Sequence, residues 1–151
     1  MKIKLAFKKL TETAILPQKP KSQTDAGYDL YSDIDKTIQP NETTLINTGI
    51  AVQQYSPSSW NSYCLVKDTS GNALKKKLSV KAGVVDKEYR GEIGVVIKNN
   101  STEPISIVKG DKIAQLIPTL IPLVEEVDWV DDVTSRGIDG FGSTGVVGDK
   151  K

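Results

Sequence analysis

The stretch AGVVDKEYRGE, Ala82 to Glu92, continued at once by IGVVIK, Ile93 to Lys98, decides how the chain is read. Gly83 followed by two valines is a strand-forming run. Asp86 to Glu92 is a tight polar connection, and a second apolar run begins at Ile93. The pattern predicts a β-hairpin with Asp86 and Tyr89 at its tip. A carboxylate there can take a proton from water, and a ring can lie flat against a sugar or a base. Asp and Gly are also ordinary turn residues, so taken alone the segment reads first as a charged surface hairpin.

Outward from this stretch the chain keeps a period of two and breaks often. Toward the N-terminus, 72–77 (NALKKK) is a short helix candidate, and 62–67 is a strand that carries Cys64 as a small core residue. Residues 55–61 form a turn, and 49–53, 42–46 and 34–38 are short strands separated by Asp, Pro-Asn and Asn-Thr-Gly punctuation. In TDAGYDLYS, 24–32, Tyr28 and Leu30 alternate with Asp29 and Tyr31, so one face is expected to pack and the other, with Asp29, to bind. Residues 11–24 read as a surface connection and 2–7 as the first strand. Toward the C-terminus, 104–108 and 113–120 are strands around a GDK turn, the second carrying Gln115, and a last strand is expected through Val124 and Val127. There is no repeat, heptad or long helix. The reading is an all-β single domain over 1–134, a jelly-roll or β-barrel, followed by an arm over 135–151.

Composition bounds the chemistry. A chain of 151 residues suits one domain, and a net charge of +1 gives no reason to expect nucleic acid as a partner. One Cys and no His exclude an intramolecular disulfide and remove the commonest metal ligand and general base, so acid–base work falls to carboxylates. No apolar run is long enough for a membrane span, and the opening MKIKLAFKKL alternates instead of building a signal-peptide core, so an intracellular, cytoplasmic location is expected. The tail holds Gly137, Gly140, Gly142, Gly145 and Gly148, a composition that predicts a flexible arm. It also carries Arg136, Phe141 and a Gly-Ser-Thr-Gly run suited to phosphate oxygens.

Five stretches, in this order and spacing, resemble the motifs of the homotrimeric dUTPase family: AGYDLYS at 26–32, DTSG at 68–71, AGVVDKEYRGE at 82–92, GDKIAQLI at 110–117 and RGIDGFGSTG at 136–145. The resemblance covers almost the whole chain. It implies hydrolysis of dUTP to dUMP and pyrophosphate, which limits uracil incorporation into DNA and supplies dUMP for thymidylate synthesis. It implies Mg2+ held mainly by the triphosphate and water, as suits a cation that dehydrates reluctantly. Asp86 matches the family's catalytic acid residue, which deprotonates the attacking water, and Tyr89 matches the ring against the deoxyribose. The backbone around Gly83 and Val84 matches the segment that reads uracil. Ser70, Gly71 and Gln115 match phosphate-binding positions, while Asp29 matches an acid acting on the metal through water. Arg136, Ser143 and Thr144 match arm residues on the γ-phosphate, and Phe141 with Gly142 matches the part that covers the base. A homotrimer with shared sites is implied as well.

One position departs from the family pattern. Thr69 stands where the family usually has Arg, less often Lys, so a positive charge near the phosphates and Asp29 is missing. Lys67 either supplies that charge from the same strand face or is a solvated strand residue. The departure leaves a second reading, a nucleotide-binding regulatory protein of weak turnover. A third, the related dCTP deaminase, fits less well, because 82–92 and the complete fifth stretch look like dUTPase.

Overall fold

Side-chain alternation builds the strands and also decides which face each one buries. In the strand Gly94–Asn99, Val95, Ile97 and Asn99 point into the core while Gly94, Val96 and Lys98 do not. Asn99 is fully buried yet satisfied: its amide donates to Ile38 O (3.0 Å) and Glu103 O (2.8 Å), and its oxygen accepts from Ser101 N (2.8 Å).

The computed structural model describes residues 2–19 and 21–138. In chain order the elements are β1 (Lys4–Lys9), β2 (Tyr28–Tyr31), β3 (Lys36–Ile38), β4 (Thr43–Asn47), β5 (Ile50–Tyr55), β6 (Trp60–Lys67), α1 (Ser70–Lys75), β7 (Leu78–Val80), β8 (Val84–Asp86), β9 (Gly94–Asn99), β10 (Ile105–Ile107) and β11 (Lys112–Pro122). A four-stranded sheet runs β2–β11–β6–β8 and a three-stranded sheet β4–β9–β7, with two-stranded ribbons β1–β5 and β3–β10. Among the described residues every pairing is antiparallel, and no two strands that follow each other in the chain are paired. These long crossings are those of a jelly-roll-type fold. Leu30, Cys64, Val66 and Leu116 of the four-stranded sheet and Val95 and Ile97 of the three-stranded sheet belong to one buried cluster.

Four sequence expectations change. The expected hairpin over 82–98 is absent, because β8 pairs with β6 while β9 pairs with β4 and β7, so 87–93 crosses between two sheets. Val85 enters the core from one sheet and Val95 from the other, and both belong to the same buried cluster. The last strand through Val124 and Val127 is also absent: 123–134 forms no strand or helix, and those valines are more than four-fifths exposed. The helix begins two residues early, at Ser70, because the Thr69 hydroxyl accepts the Asn72 N–H (3.4 Å) as N-cap. Asp29, expected on an open binding face, is buried, with only 7% of its surface exposed.

A buried carboxylate ties the N-terminal connection down. Asp33 accepts from Thr11 Oγ1 and Thr13 Oγ1, both at 2.6 Å. Those two hydroxyls hold its pKa below the ordinary 3.8. A folded-state value below the unfolded one stabilises the fold fully above 3.8, and that contribution is lost as pH falls through the lowered value. Asp33→Asn is therefore expected to cost about 1 kcal/mol at neutral pH, with the gap to wild type closing in strong acid. Urea unfolding at a series of pH values measures both.

Candidate active site

On the outer face of the four-stranded sheet, three polar residues form one cross-strand row. Gln115 of β11 stands opposite Asp29 of β2 on one side and Lys67 of β6 on the other. Lys112 Nζ lies 3.3 Å from Asp29 Oδ2. The cation that Thr69 does not provide thus reaches Asp29 from the opening of β11. Sequence reasoning missed Lys112; its only signal was a lysine three residues before Gln115. Burial, and then the charge of Asp29, raises the pKa of the neighbouring Tyr31. Gln115 donates to Asp68 O (2.8 Å), and its Oε1 passes so close to Gly27 that a Cβ there would lie 2.6 Å away.

β6 ends at Lys67, so Lys67 and Thr69 do not share a strand face as expected. Ser70 and Gly71 sit in the first turn of α1, and among the described residues nothing beyond the adjoining residues and the helix's own backbone lies within 4 Å of where a Gly71 Cβ would be. The Asn72 amide bonds to Lys112 O (2.9 Å), which locks this turn to β11 beside the Asp29–Lys112 pair. Removing Lys112 would leave Asp29 without its cation. Because the lysine side chain is 45% exposed, Lys112→Ala is expected to cost only about 1–2 kcal/mol, measured by thermal or urea unfolding.

A second cluster forms where β8 begins. Ala82 (φ 59°) and Gly83 (φ 133°) both take left-handed backbone, and a Cβ on Gly83 would come 2.5 Å from Val66 O. The kink is fixed by Val66 N donating to Gly83 O at 2.7 Å. Beside it lies a cavity of about 240 Å³ lined in part by Lys81, Gly83, Val84, Asp86 and Tyr89. The buried Gln54 amide donates to Val85 O (3.0 Å) and Asp86 O (3.2 Å), which holds the main chain of Asp86. Among the described residues no hydrogen bond or ion pair engages the Asp86 carboxylate, which is exposed. Tyr89 is 47% exposed.

One copy of the chain does not bring the two clusters together. Asp86 is in register with Tyr63, which faces Thr119; Lys67, Gln115 and Asp29 form their row four residues further along β6. At roughly 3.3 Å per residue the rows are about 13 Å apart. Between them lies the row Val84, Leu65, Ile117, whose Val84 is 64% exposed.

The remaining expected residues are placed only in part. Arg136 lies in 123–138, which forms no strand or helix, while Phe141, Gly142, Ser143 and Thr144 lie outside the described residues. Cys64 is fully buried and its thiol is pushed up to about 11 by that burial, so it is a core residue with no nucleophile's character. Among the described residues no three His, Cys, Asp or Glu side chains cluster as a metal cage, and no helix is long and apolar enough to cross a membrane.

Comparison with known proteins adds an independent line. The dUTPase family model matches residues 13–145. The mitochondrial deoxyuridine 5'-triphosphate nucleotidohydrolase of Homo sapiens is 44% identical over 145 residues, covering 95% of this chain; the chain spans 55% of that relative's length. Among solved structures, a mutant dUTPase of Staphylococcus bacteriophage 80alpha with dUpNHpp superposes with a TM-score of 0.78 at 30% identity, covering 95% of this chain and 99% of the other. A mutant dUTPase from phage phi11 of S. aureus, described with a coordinated structural Mg(II) ion, gives 0.74 at 28% identity, covering 87% of this chain and 99% of the other.

Proposed function

The chain belongs to the dUTPase family, and we propose on that premise that it is a dUTP nucleotidohydrolase, converting dUTP and water to dUMP and diphosphate. The observation that carries the mechanism is the unengaged carboxylate of Asp86 on a fixed main chain beside the small cavity. Asp86 orients a water and takes its proton as the water attacks the α-phosphorus. Tyr89 lies against the deoxyribose, and the kinked backbone at Gly83 and Val84 hydrogen-bonds uracil. Buried donors and acceptors that fit uracil would be left unpaired by cytosine.

Ser70, Gly71 and Gln115 hold the phosphates. Arg136, Ser143 and Thr144 add contacts to the γ-phosphate, and Phe141 with Gly142 covers the base. Mg2+ fits the donor set. With no cage of three acidic or thiol groups among the described residues and Asp29 already paired to Lys112, the cation would be held by triphosphate and water, with Asp29 acting on that water shell. When bound it neutralises charge on the phosphate oxygens.

We further propose a homotrimer in which Asp86 and Tyr89 of one copy meet the Asp29–Ser70–Gln115 cluster of another. The roughly 13 Å between the rows in one copy supports this reading, as does the apolar row between them, which offers a surface for a second copy. Light scattering should give a trimeric mass. Pyrophosphate release with Mg2+ should be fast for dUTP and weak for dCTP, dTTP and UTP; comparable rates on all four would refute the assignment.

A further inference from the structure

We propose that Glu92 is a positioning residue: its carboxylate, held by Asn47 and Gly49, stiffens the seat of Tyr89 and so sets how strongly the site discriminates deoxyribose from ribose. This rests on the reading that Tyr89 lies against the sugar.

The connection after Asp86 has no strand partner, so what holds it decides where Tyr89 stands. Several of its bonds are internal and would move with it: Tyr89 N donates to Asp86 O (3.1 Å), and Arg90 donates to Lys87 O (2.7 Å) and Tyr89 O (3.1 Å). Tyr89 itself rests on Gly91 and Glu92, two and three residues further on. Its hydroxyl donates to Glu92 O at 2.9 Å, and its ring crosses Gly91 so closely that a Cβ there would lie 2.5 Å from the hydroxyl oxygen. The ring is therefore seated on the Gly91–Glu92 main chain.

The side chain of Glu92 fastens that main chain to the body of the protein. Oε2 accepts from Asn47 Nδ2 (2.8 Å) and Oε1 from Gly49 N (2.7 Å). Gly49 cannot shift easily: at φ 65° a Cβ on it would meet Ala14 Cβ and Thr11 Oγ1 at 2.7 Å, so its backbone is packed tightly against the buried Ala14 and the Thr11 hydroxyl. At the other end of the connection Lys87 Nζ reaches Ser56 Oγ (2.7 Å), an anchor that does not touch the Gly91–Glu92 main chain on which the ring rests. A wall that rejects one extra hydroxyl by shape works only if it does not yield, and catalytic geometry tolerates little displacement. Both oxygens of Glu92 serve that stiffness.

The test compares kcat/KM for dUTP and for UTP in Glu92→Ala, Asn47→Ala, Glu92→Gln and the control Tyr89→Ala. Glu92→Ala should lower the dUTP-to-UTP ratio about tenfold or more. Asn47→Ala should lose part of it, and Glu92→Gln should keep most, since its amide oxygen still accepts the Gly49 N–H. A merely structural role would lower both substrates alike and leave the ratio unmoved. If Tyr89→Ala collapses the ratio and Glu92→Ala does not, the proposal is overturned while the reading of Tyr89 stands. If Tyr89→Ala leaves the ratio intact, that reading fails and the proposal with it. Should Glu92→Ala not fold, Asn47→Ala decides by the same criterion.

Discussion

Asp86→Asn is expected to leave folding and nucleotide affinity nearly unchanged while lowering turnover by about 10²–10⁴-fold. Asn can hold a water by a hydrogen bond but cannot accept its proton. The substitution is structurally quiet: the Asp86 side chain is exposed and has no partner among the described residues, and Gln54 bonds to its backbone carbonyl, which the change does not touch. Single-turnover kinetics with dUTP, together with binding of dUpNHpp, separates chemistry from affinity. Near-normal turnover would remove Asp86 from the mechanism.

The second large effect concerns the C-terminal segment. Deleting residues 135–151 removes Arg136, Phe141, Ser143 and Thr144 together. Hydrogen bonds to charged groups contribute about 1.5–3 kcal/mol each, so losing even two of the three contacts to the γ-phosphate predicts a drop in kcat/KM of roughly a hundredfold or more. Thermal stability should hold, because β11, the last strand among the described residues, ends at Pro122 and 123–134 forms no strand or helix. A melting curve and a pyrophosphate assay on the truncated protein check both halves. Full activity without the segment would assign it no part in catalysis.

Local pattern was legible in the sequence where the physics is local. The alternation in GVVIKN sets which side chains are buried, and Thr69 placed before SGNALK is a cap signal in plain view once the helix is moved two residues back. What escaped was non-local. Nothing in AGVVDKEYRGE reveals that β8 within it and β9 after it belong to different sheets; that follows from the pairing of β8 with β6 and of β9 with β4 and β7, all outside the stretch. The Lys112–Asp29 pair joins residues 83 positions apart, and the sequence showed only a gap at Thr69 where a charge was wanted. The bonds of Glu92 to Asn47 and Gly49 span more than 40 residues and were equally hidden. The chemistry-bearing residues could be picked out individually, but their separation into two rows on one sheet face required the register.

That separation makes a shared site the central claim, and subunit mixing tests it most directly. Ser70→Glu would put a carboxylate into the phosphate turn and repel a tetra-anion, while Asp86→Asn removes the base; each variant alone should be nearly inactive. Equal amounts refolded together should regain about a quarter of wild-type pyrophosphate release per chain, because random assortment pairs an intact Ser70 of one copy with an intact Asp86 of another in that share of sites. Mixed samples no more active than the two parents would contradict the account and place the whole site within one copy.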